Sequence, residues 1–361
     1  MSKNIRYGIV GCGGIANQKH MPSIRNLGAE VELTAFCDVV IERAKKANEE
    51  FGGGKGFVTA DYKELLKQDL DVICVLTPNN SHCQVTVAAL KSGKHVICEK
   101  PMAMNYAEAQ KMIKARDESG KLLSIAYQNR HRRDSKYLKR ACEAGDLGDI
   151  YFAKAIAVRR RAVPTWGVFL DGEKQGGGPL IDIGTHALDL TLYMMNNYEP
   201  AYCVGTTYHK LNKDTETANA WGDWDTETFD VEDSAFGFVV MKNGATIMLE
   251  ASWALNTLDV REAVTELCGT KGGAEMLRDN QLRVNGVKYG AQYFAEPNFN
   301  TGGVAYFDGR EATIADLEAM SFLAAVKGKG KPAVTAEQAA AVTRILEGIY
   351  ISAKTGKQYT F

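Results

Sequence analysis

The sequence predicts a doubly wound α/β domain followed by an α+β domain, and three observations support this. In the first third of the chain, short apolar runs alternate with helical patterns. The runs lack the polar alternation of a half-exposed strand, so they are expected to be buried on both faces, as in a parallel sheet. After residue 128 strand patterns cluster, and an Asn243-Gly244 turn between two of them indicates an antiparallel hairpin.

The first domain is predicted to run from residue 1 to 128, with helices between successive strands. The predicted strands are Arg6–Val10, Val31–Asp38, Gly56–Thr59, Asp71–Thr77, His95–Glu99 and Leu122–Tyr127. The predicted helices are Ile41–Phe51, Tyr62–Lys67, Ser81–Lys91 and Ala107–Glu118. Strand–helix alternation of this kind predicts a parallel sheet with helices on both faces.

The second domain is predicted to span 129–361 and to hold a mostly antiparallel sheet. Its strands are Asp149–Arg161, Ala201–His209, Asp233–Met241, Ala245–Trp253 and Ala263–Leu267. Its helices are Asp134–Ala144, Ala312–Val326 and Ala336–Ala353. The last helix carries a Thr335/Gln338 capping-box pattern and Gly356 after its end, and it is free to pack back on the first domain. The polar stretch Lys210–Asp230 is predicted to be a loop.

Charge and cysteine usage exclude several classes of protein. The 361 residues include 43 Lys plus Arg and 44 Asp plus Glu, a net charge of -1 with no electrostatic footprint for nucleic acid or anionic membrane. The first residues lack the apolar stretch of a signal peptide, and no run approaches the roughly 18 apolar residues of a membrane helix. The eight cysteines form no CxxC pair, which predicts free thiols, no metal site and a cytoplasmic protein.

A glycine-rich turn follows the first predicted strand. The segment Gly11-Cys12-Gly13-Gly14-Ile15-Ala16 matches the dinucleotide fingerprint G-x-G-x-x-(G/A). Gly11 permits the tight turn, and Gly13 lets the backbone approach a pyrophosphate at the helix N-terminus. We expect Gly11, Gly13, Gly14 and Ile15 to bind the cofactor of a Rossmann domain. An ordinary α/β turn is the alternative.

Asp38 closes the second strand, where an acidic residue binds the adenosine ribose hydroxyls. Its carboxylate would repel a 2′-phosphate, and the apolar residues Val39, Val40 and Ile41 follow it. This favours NAD over NADP. Arg43, one helical turn later, leaves NADP open. The alternative role for Asp38 is a helix N-cap.

Lys100 and Pro101 directly follow a predicted buried strand. Ligands in such sheets bind at the carboxyl ends of strands, so Lys100 is expected beside the nicotinamide. Pro101 restricts the backbone before it and can host a cis peptide bond. The alternative is a solvated lysine that precedes a helix.

A glycine run at Gly176–Gly178 precedes Pro179, Asp182 and His186. Glycines permit close approach of the backbone to a ligand, and Asp182 and His186 are spaced to share a helical face. Histidine is a natural acceptor for a hydroxyl proton. A buried histidine satisfied by the aspartate is the alternative, whereas a metal site lacks further ligands.

Taken together, these motifs resemble those of the glucose–fructose oxidoreductase and inositol dehydrogenase family (Gfo/Idh/MocA). The matching segments are the fingerprint, Thr77-Pro78-Asn79, Glu99-Lys100-Pro101, Tyr127-Gln128-Asn129-Arg130 and Asp182-x-x-x-His186, in the family's order. The resemblance implies a Rossmann domain followed by a large open antiparallel sheet. It also implies NAD(P)-linked oxidation of a secondary hydroxyl of a sugar, sugar derivative or cyclic polyol.

The resemblance further implies roles for individual residues. Lys100 matches the family's active-site lysine, Asp182 its substrate-binding aspartate and His186 its catalytic histidine. The positions implied to line the nicotinamide side are Thr77, Pro78, Asn79, Glu99 and Lys100. Asn129 and Arg130 match a segment near the active site, which implies cofactor binding by Asn129 and substrate binding by Arg130.

Arg160 and Trp166 precede the glycine run and have two open interpretations. They either form a solvated face with an ordinary core tryptophan, or they shape the sugar pocket together with Lys100, Asp182 and His186. His82 is expected to have a structural role.

Two other functions share these motifs. A glycoside-cleaving enzyme would use the same oxidation transiently, so that the cofactor cycles without accumulation of NADH. A non-catalytic sugar or NAD sensor is disfavoured by the joint presence of Lys100, Asp182 and His186.

The predicted hairpin also bears on assembly. In Asp233–Met241 both sides are apolar, with Phe236, Phe238 and Val240 on one and Ala235, Val239 and Met241 on the other. A second cover is therefore expected, and a two-fold partner sheet in a homodimer or homotetramer would supply it. The alternative is that the terminal helices cover this face.

Overall fold

The chain forms two compact units, each built around its own β-sheet. The computed structural model describes residues 4–278, 281–299 and 312–361. One unit comprises Met1–Gln128 and Glu311–Ala340, and the other comprises Asn129–Arg310 and Ala341–Phe361. None of the described helices is long and apolar enough to cross a membrane.

The first unit contains the predicted parallel sheet. Its strands are β1 (Ile5–Val10), β2 (Val31–Cys37), β3 (Phe57–Thr59), β4 (Val72–Val75), β5 (His95–Cys98) and β6 (Leu123–Ile125). Among the described residues they lie in the order β3-β2-β1-β4-β5-β6, and every pair is parallel. This is the doubly wound order, in which the chain reverses direction across the sheet between β1 and β4. The predicted fold class is confirmed.

The second unit contains the predicted, mostly antiparallel sheet. Its strands are β7 (Ile150–Val158), β8 (Pro200–Tyr208), β9 (Ser234–Met241), β10 (Thr246–Ser252), β11 (Arg261–Gly269), β12 (Gly272–Met276), β13 (Leu282–Lys288), β14 (Ala291–Ala295) and β15 (Tyr359–Thr360). Within the described ranges the order is β14-β13-β12-β11-β7-β10-β9-β8-β15. The predicted hairpin joins β9 and β10, and the pair β7–β10 is parallel.

The strands β12 to β15 were not expected from the sequence. Two of the five residues of β12 are glycine, and β14 is exposed along its whole length. Neither pattern carries the apolar alternation by which a strand is recognised.

Helices cover the sheets at nearly the predicted positions. They are α1 (Met21–Arg25), α2 (Ile41–Phe51), α3 (Tyr62–Leu66), α4 (Asn79–Lys91), α5 (Tyr106–Ser119), α6 (Arg133–Ala144), α7 (Gly172–Gln175), α8 (Thr185–Met195), α9 (Ile314–Val326) and α10 (Ala336–Thr355). Short π-helical turns, Ala16–His20 and Leu180–Gly184, precede α1 and α8. The capping box at Thr335 and Gln338 is formed, with two 3.3 Å hydrogen bonds. No regular element occurs in 210–230, as expected for a loop.

Helix α9 belongs to the first unit, which corrects its assignment to the second domain. Phe322 and Leu323 of α9 are buried in the same apolar cluster as Tyr7, Phe36 and Met21. The amphipathic pattern of a helix predicts that one face is buried, but it does not identify the sheet against which that face packs.

Helix α10 lies against one face of the second sheet. Ile349 approaches Gly205 and Gly237 so closely that a Cβ at either glycine would lie 2.6 Å from its side chain. Only glycine at these two positions lets the helix pack at this distance.

On the opposite face of this sheet, three apolar side chains remain exposed among the residues that the structure describes. Val204, Phe238 and Met248 lie in register across β8, β9 and β10, and they are 46%, 44% and 40% exposed. Ala235 and Val239, on the other face, are fully buried. The predicted two-sided pattern of this strand is therefore present, and the terminal helix α10 covers the inner face and not the outer one.

Candidate active site

The glycine fingerprint forms a tight turn between β1 and the helix that follows it. Gly11 has a φ of +94°, and a Cβ there would lie 2.5 Å from the carbonyl oxygen of Leu76. Its N–H donates to the carbonyl oxygen of Cys37 at 2.8 Å. Both the backbone conformation and the contact with the β4 end therefore require glycine.

Space remains open at the next two glycines of the fingerprint. No atom lies within 4 Å of a Cβ built at Gly13 or Gly14. The Asn17 amide donates to the carbonyl oxygens of Cys12 and Gly13 at 2.8 and 2.7 Å, which fixes the loop at the start of the helix. An open helix N-terminus with a fixed glycine backbone suits a pyrophosphate.

Asp38 connects the end of β2 to this loop. Its carboxylate accepts the N–H of Cys12 at 2.9 Å and the N–H of Val40 at 2.8 Å. Arg43 lies 4.0 Å from the same carboxylate. A carboxylate has about four acceptor sites, so these two bonds leave capacity for ribose hydroxyls.

An apolar surface adjoins Asp38. Val39 is 87% exposed, and Ile15 and Val40 are 43% and 45% exposed. Apolar side chains around an acidic residue and a glycine loop match the parts of an adenine dinucleotide: base, ribose and pyrophosphate. The residues of the first unit therefore fit NAD.

Glu99 binds protein groups at the end of β5. Its carboxylate accepts the N–H of Lys100 at 3.0 Å, the ammonium of Lys19 at 2.9 Å, and pairs with the His20 ring at 2.8 Å. Burial alone would raise the pKa of Glu99, but the Lys19 charge and the His20 hydrogen bond hold it well below its usual range. Glu99 therefore fixes the Lys100 backbone, and its expected contact on the nicotinamide side stays a prediction.

Lys19 has a second carboxylate partner, Glu318 of α9, at 3.0 Å. Burial favours the neutral amine, yet the charges of Glu318 and Glu99 raise the pKa of Lys19 above its ordinary value. The ammonium therefore sits between two buried carboxylates. We call Lys19, His20, Glu99 and Glu318 the buried ionic cluster.

His82 lies between the carboxyl ends of β4 and β5. Its Nδ1 lies 2.7 Å from the Pro101 carbonyl oxygen, and its Nε2 lies 2.9 Å from that of Thr77. The ring is fully buried, and burial lowers its pKa. This supports the structural role expected for His82.

Two other predicted segments lie at the same strand ends. The Lys100–Pro101 peptide bond is cis. Asn79, the first residue of α4, is buried, whereas Pro78 is exposed.

In the second unit, Asp182 lies in the π-helical turn just before α8. It is 6% exposed and accepts a hydrogen bond from the indole N–H of Trp253 at 3.0 Å. His186, in the first turn of α8, is half-buried. Isolated π-turns of this kind are rare and often occur at functional sites. The fully buried Trp253 ring fixes one oxygen of Asp182 and so orients the carboxylate.

The glycine run packs against protein and not, as expected, against a ligand. A Cβ at Gly177, where φ is +154°, would collide with the Tyr350 hydroxyl, and one at Gly178 with the Glu232 carbonyl oxygen. Glu232 accepts the N–H groups of Gly178 and Leu180 at 2.8 and 3.2 Å, and the Tyr350 hydroxyl at 2.8 Å. Burial raises the pKa of Glu232, and these three donors oppose that shift.

Arg130 does not fit the substrate role that was expected of it. Its guanidinium is buried, donates to Asp189 of α8 at 3.0 and 2.6 Å and lies 4.5 Å from the Tyr193 ring. Asp189 keeps the pKa of Arg130 above its ordinary value despite burial. This ion pair connects Arg130 to helix α8, to which Asp189 belongs. Asn129 is half-buried in the short helix Gln128–His131.

Arg160 and Trp166 are both exposed at the end of β7. The Trp166 ring is therefore no core tryptophan. The described residues contain no group of three or more His, Cys, Asp or Glu side chains able to hold a metal ion.

Comparison with known proteins agrees with this geometry. Residues 5–127 match the family model described as "Oxidoreductase family, NAD-binding Rossmann fold", and residues 135–275 match the Gfo/Idh/MocA C-terminal domain. D-glucoside 3-dehydrogenase of Escherichia coli strain K12 is 33% identical over 362 residues, which cover 98% of this chain and 97% of the relative.

The chain belongs to the Gfo/Idh/MocA oxidoreductase family.

Two further comparisons extend this Gfo/Idh/MocA assignment. Inositol 2-dehydrogenase of Salmonella typhimurium strain LT2 is 33% identical over 147 residues, 40% of this chain and 43% of the relative. Levoglucosan dehydrogenase in complex with NADH and levoglucosan superposes with a TM-score of 0.83 at 21% identity, covering 99% of each chain. The fold and the NAD-binding oxidoreductase class predicted from the motifs are thereby confirmed.

The family motifs did not reveal several residues that organise the site. Three residues bond to a motif residue or its backbone from far along the chain, namely Lys19, Glu232 and Trp253. Tyr350 in turn donates its hydroxyl hydrogen bond to Glu232. Lys19 and Glu232 gave no signal, because both stand beside polar residues in the sequence, where a charged side chain is normal. Trp253 and Tyr350 gave no signal, because an aromatic residue is normal in a core.

Proposed function

We propose that this oxidoreductase oxidises a secondary hydroxyl of a glucoside-like sugar, with NAD as the hydride acceptor. The observation that carries the proposal is the end-to-end similarity to a D-glucoside 3-dehydrogenase, at 33% identity over 98% of the chain. The side chains needed for this chemistry, Lys100, Asp182 and His186, are all present.

NAD, when bound, supplies the two-electron acceptor: the C–H bond of the carbinol carbon breaks, its hydride is taken up as NADH, and C–OH becomes C=O. Gly11, Gly13 and Gly14 would hold the pyrophosphate, and Asp38 the ribose. The apolar side chains Ile15 and Val39 would face the base. Thr77, Pro78 and Asn79 remain proposed contacts on the nicotinamide side, as does Asn129.

His186 is proposed to accept the proton of the substrate hydroxyl as its C–H bond breaks, and then to release it to solvent. Imidazole suits this step because its ordinary pKa lies near neutrality. The ammonium of Lys100 is proposed to donate a hydrogen bond to the same oxygen and to stabilise its developing negative charge.

Asp182 is proposed to bind substrate hydroxyls. The Trp253 indole donates to one of its oxygens and thereby orients the carboxylate for hydrogen bonds with a sugar. Arg160 and Trp166 are proposed to contribute further substrate contacts. Arg130 is left out, because its donors are directed to Asp189.

The test is a screen of glucosides, free sugars and inositols with NAD, followed by the absorbance of NADH. With the best substrate, His186→Ala and Lys100→Met should each lower kcat/KM at least about a hundredfold, because acid–base or electrostatic catalysis is lost. His209→Ala, which removes an exposed histidine, is the matched control. Cofactor affinity should change little in His186→Ala.

Two results would contradict this proposal. One is near-wild-type turnover of His186→Ala across neutral pH. The other is cleavage of a glycoside without net accumulation of NADH, which would instead identify a glycoside-cleaving enzyme that reoxidises its cofactor in each turnover.

We also propose that the protein is a cytoplasmic homodimer or homotetramer. Its eight cysteines, all of which lie in the described ranges, are free, as in a reducing compartment. The exposed row Val204, Phe238 and Met248 supports association through the outer face of the second sheet.

A further inference from the structure

Two large aromatic side chains lie exposed next to each other in the second unit. Trp166 is 53% exposed and Trp221 is 44% exposed. Their ring centroids are 5.0 Å apart with an interplanar angle of 78°, an edge-to-face pair. Tryptophan faces are rarely left in water without a binding role, since each buries a large apolar area when covered.

The loops that carry these rings are tied to each other by hydrogen bonds. The Thr165 hydroxyl donates to the Trp221 carbonyl oxygen at 2.7 Å, and the Ala220 N–H donates to the Arg161 carbonyl oxygen at 3.0 Å. The Asn219 side chain bonds both the N–H and the carbonyl of Val163, at 2.8 and 3.0 Å. The exposed rings are therefore held in place by their backbones, as a preformed binding surface requires.

Arg159 adds a further constraint on Trp221. Its guanidinium carbon lies 5.2 Å from the Trp221 ring centroid, while two of its nitrogens bind Glu262 at 2.6 Å. Because its charge is neutralised by Glu262, Arg159 fixes the ring and is not a free cation for an anionic ligand. The charge of Arg159 is thus already paired, and the two indole rings supply the apolar part of this surface.

A continuous series of ring contacts leads from this surface to Asp182. Trp166 contacts Phe169 with centroids 5.9 Å apart, and Phe169 contacts Trp253 at 6.4 Å. Trp253 donates its indole N–H to Asp182 at 3.0 Å. The exposed pair is therefore connected through Phe169 to Trp253, the residue that orients the proposed sugar-binding carboxylate.

We infer that Trp166 and Trp221 form a subsite for the ring that a glycoside carries on its glycosidic oxygen, outside the sugar that is oxidised. The apolar C–H face of a second pyranose and the face of an aryl aglycone both pack against indole, and neither requires a charge. This inference rests on the proposed function, because it takes Asp182 as the site of the sugar to be oxidised. It assigns glycosides with a ring substituent, and not free monosaccharides, as the preferred substrate class.

The experiment compares three substrates that share one glucose unit: methyl glucoside, phenyl glucoside and a glucose disaccharide. Rates of NADH formation are measured for the wild type, Trp166→Ala, Trp221→Ala and the conservative Trp166→Phe. Tyr289→Ala, which removes a 95% exposed aromatic ring at the β13–β14 turn, is the control.

We expect Trp166→Ala and Trp221→Ala to lower kcat/KM about tenfold for whichever ring-bearing glycoside uses the subsite, mainly through KM. For methyl glucoside, Trp221→Ala should change kcat/KM by no more than about twofold. Trp166→Phe should recover most of the loss that Trp166→Ala causes with the ring-bearing glycoside. A loss confined to the disaccharide identifies a second sugar ring as the occupant, and one confined to phenyl glucoside identifies an aryl aglycone.

An equal loss for all three substrates, or no loss for either ring-bearing glycoside, would overturn the subsite. If the wild type oxidises none of them, the proposed function fails by itself. Calorimetric titration of the same glycosides in the presence of NADH then decides the subsite separately: tighter binding to the wild type than to Trp166→Ala supports it, and equal or absent binding refutes it.

Discussion

Asp38 shows how one residue serves both the fold and the proposed cofactor contact. Its carboxylate accepts two backbone N–H groups, from Cys12 and Val40, and thereby joins the end of β2 to the fingerprint loop. The negatively charged carboxylate lies where the 2′-phosphate of NADP would bind, so the two negative charges would repel each other. Arg43, 4.0 Å away and well exposed, is the one nearby cation described here that opposes this repulsion.

We therefore expect the wild type to bind NAD more tightly than NADP. Asp38→Ala should weaken NAD binding about tenfold or more, because hydrogen bonds to a charged group are lost. The difference in affinity between NAD and NADP should become smaller, because the negative charge is removed. Isothermal titration of both cofactors measures the two affinities. Asp38→Asn keeps an acceptor for the backbone and separates loss of charge from loss of loop structure. Comparable or tighter binding of NADP by the wild type would contradict this preference.

At the level of elements, the buried ionic cluster links three segments of the first unit. Lys19 lies in the π-turn before α1, Glu99 follows β5, and Glu318 belongs to α9. Removing the central cation would leave two buried carboxylates without their partner. That loss is costly, because an uncompensated buried charge has neither water nor a counter-ion.

Lys19→Met should therefore destabilise the first unit by about 3–5 kcal/mol at pH 7 in urea unfolding. Lys45→Met, which breaks an exposed pair with Glu42, is the control and should change stability by no more than about 0.5 kcal/mol. If Lys19→Met does not fold, Glu318→Gln tests the same pair. A loss equal to that of the control would show that the cluster contributes little.

The cluster also predicts how stability depends on pH. The folded pKa of Glu99 is depressed, so its contribution is present above the unfolded value of about 4.3 and is lost as pH falls through the folded pKa. The folded pKa of Lys19 is raised, so its contribution is present below about 10.4 and is lost as pH rises through the folded pKa. Unfolding of Lys19→Met at pH 7 and at pH 4 should give a smaller difference from the wild type at the lower pH. An unchanged difference would assign the loss to packing.

At the level of the whole molecule, the outer face of the second sheet carries apolar side chains that the described part of the chain leaves exposed. Val204, Phe238 and Met248 are about half exposed in neighbouring strands, whereas α10 packs on the opposite face through Ile349. A row of apolar side chains in register across three strands is suited to a two-fold copy of itself.

We expect light scattering at micromolar concentration to give at least a dimer mass, about twice the 39.5 kDa of one chain. Phe238→Lys should shift the protein toward monomer, since a charge in the centre of an apolar interface is not compensated. Val287→Lys, at an apolar position on β13 that is 69% exposed, is the control. A wild type that is strictly monomeric would refute this assembly.

The two sheets were predictable to different extents. The strands of the parallel sheet were found from their apolar runs, because strands buried on both faces are apolar throughout. In the second unit the β9–β10 hairpin was found from its turn residues, but β12 to β15 were missed. Two of the five residues of β12 are glycine and β15 has only two residues, so neither carries a recognisable strand pattern.

The candidate site divides in the same way. Local spacing was sufficient for the glycine turn, Lys100-Pro101, and the Asp182 and His186 pair, since these motifs need only residues that are neighbours in the chain. The glycine run was expected to admit a ligand, and the structure shows that it also packs closely against Tyr350 and Glu232. The substrate role of Arg130 was implied by the family resemblance, and the structure adds its pair with Asp189, 59 residues away.

The sequence by itself determined the fold class and the dinucleotide fingerprint, because each depends on periodicity or on a short motif with a local physical meaning. The oxidoreductase chemistry followed from the resemblance of several motifs, in the same order, to the Gfo/Idh/MocA family. Only the tertiary structure showed which carboxylates bind groups of the protein itself. Glu99 is bound by Lys19, and Glu232 accepts the amides of the glycine run. It alone decided that α9 packs in the first unit and that Trp166 meets Trp221, 55 positions along the chain. Contacts between residues so far apart depend on how the helices and loops pack, which no local pattern encodes.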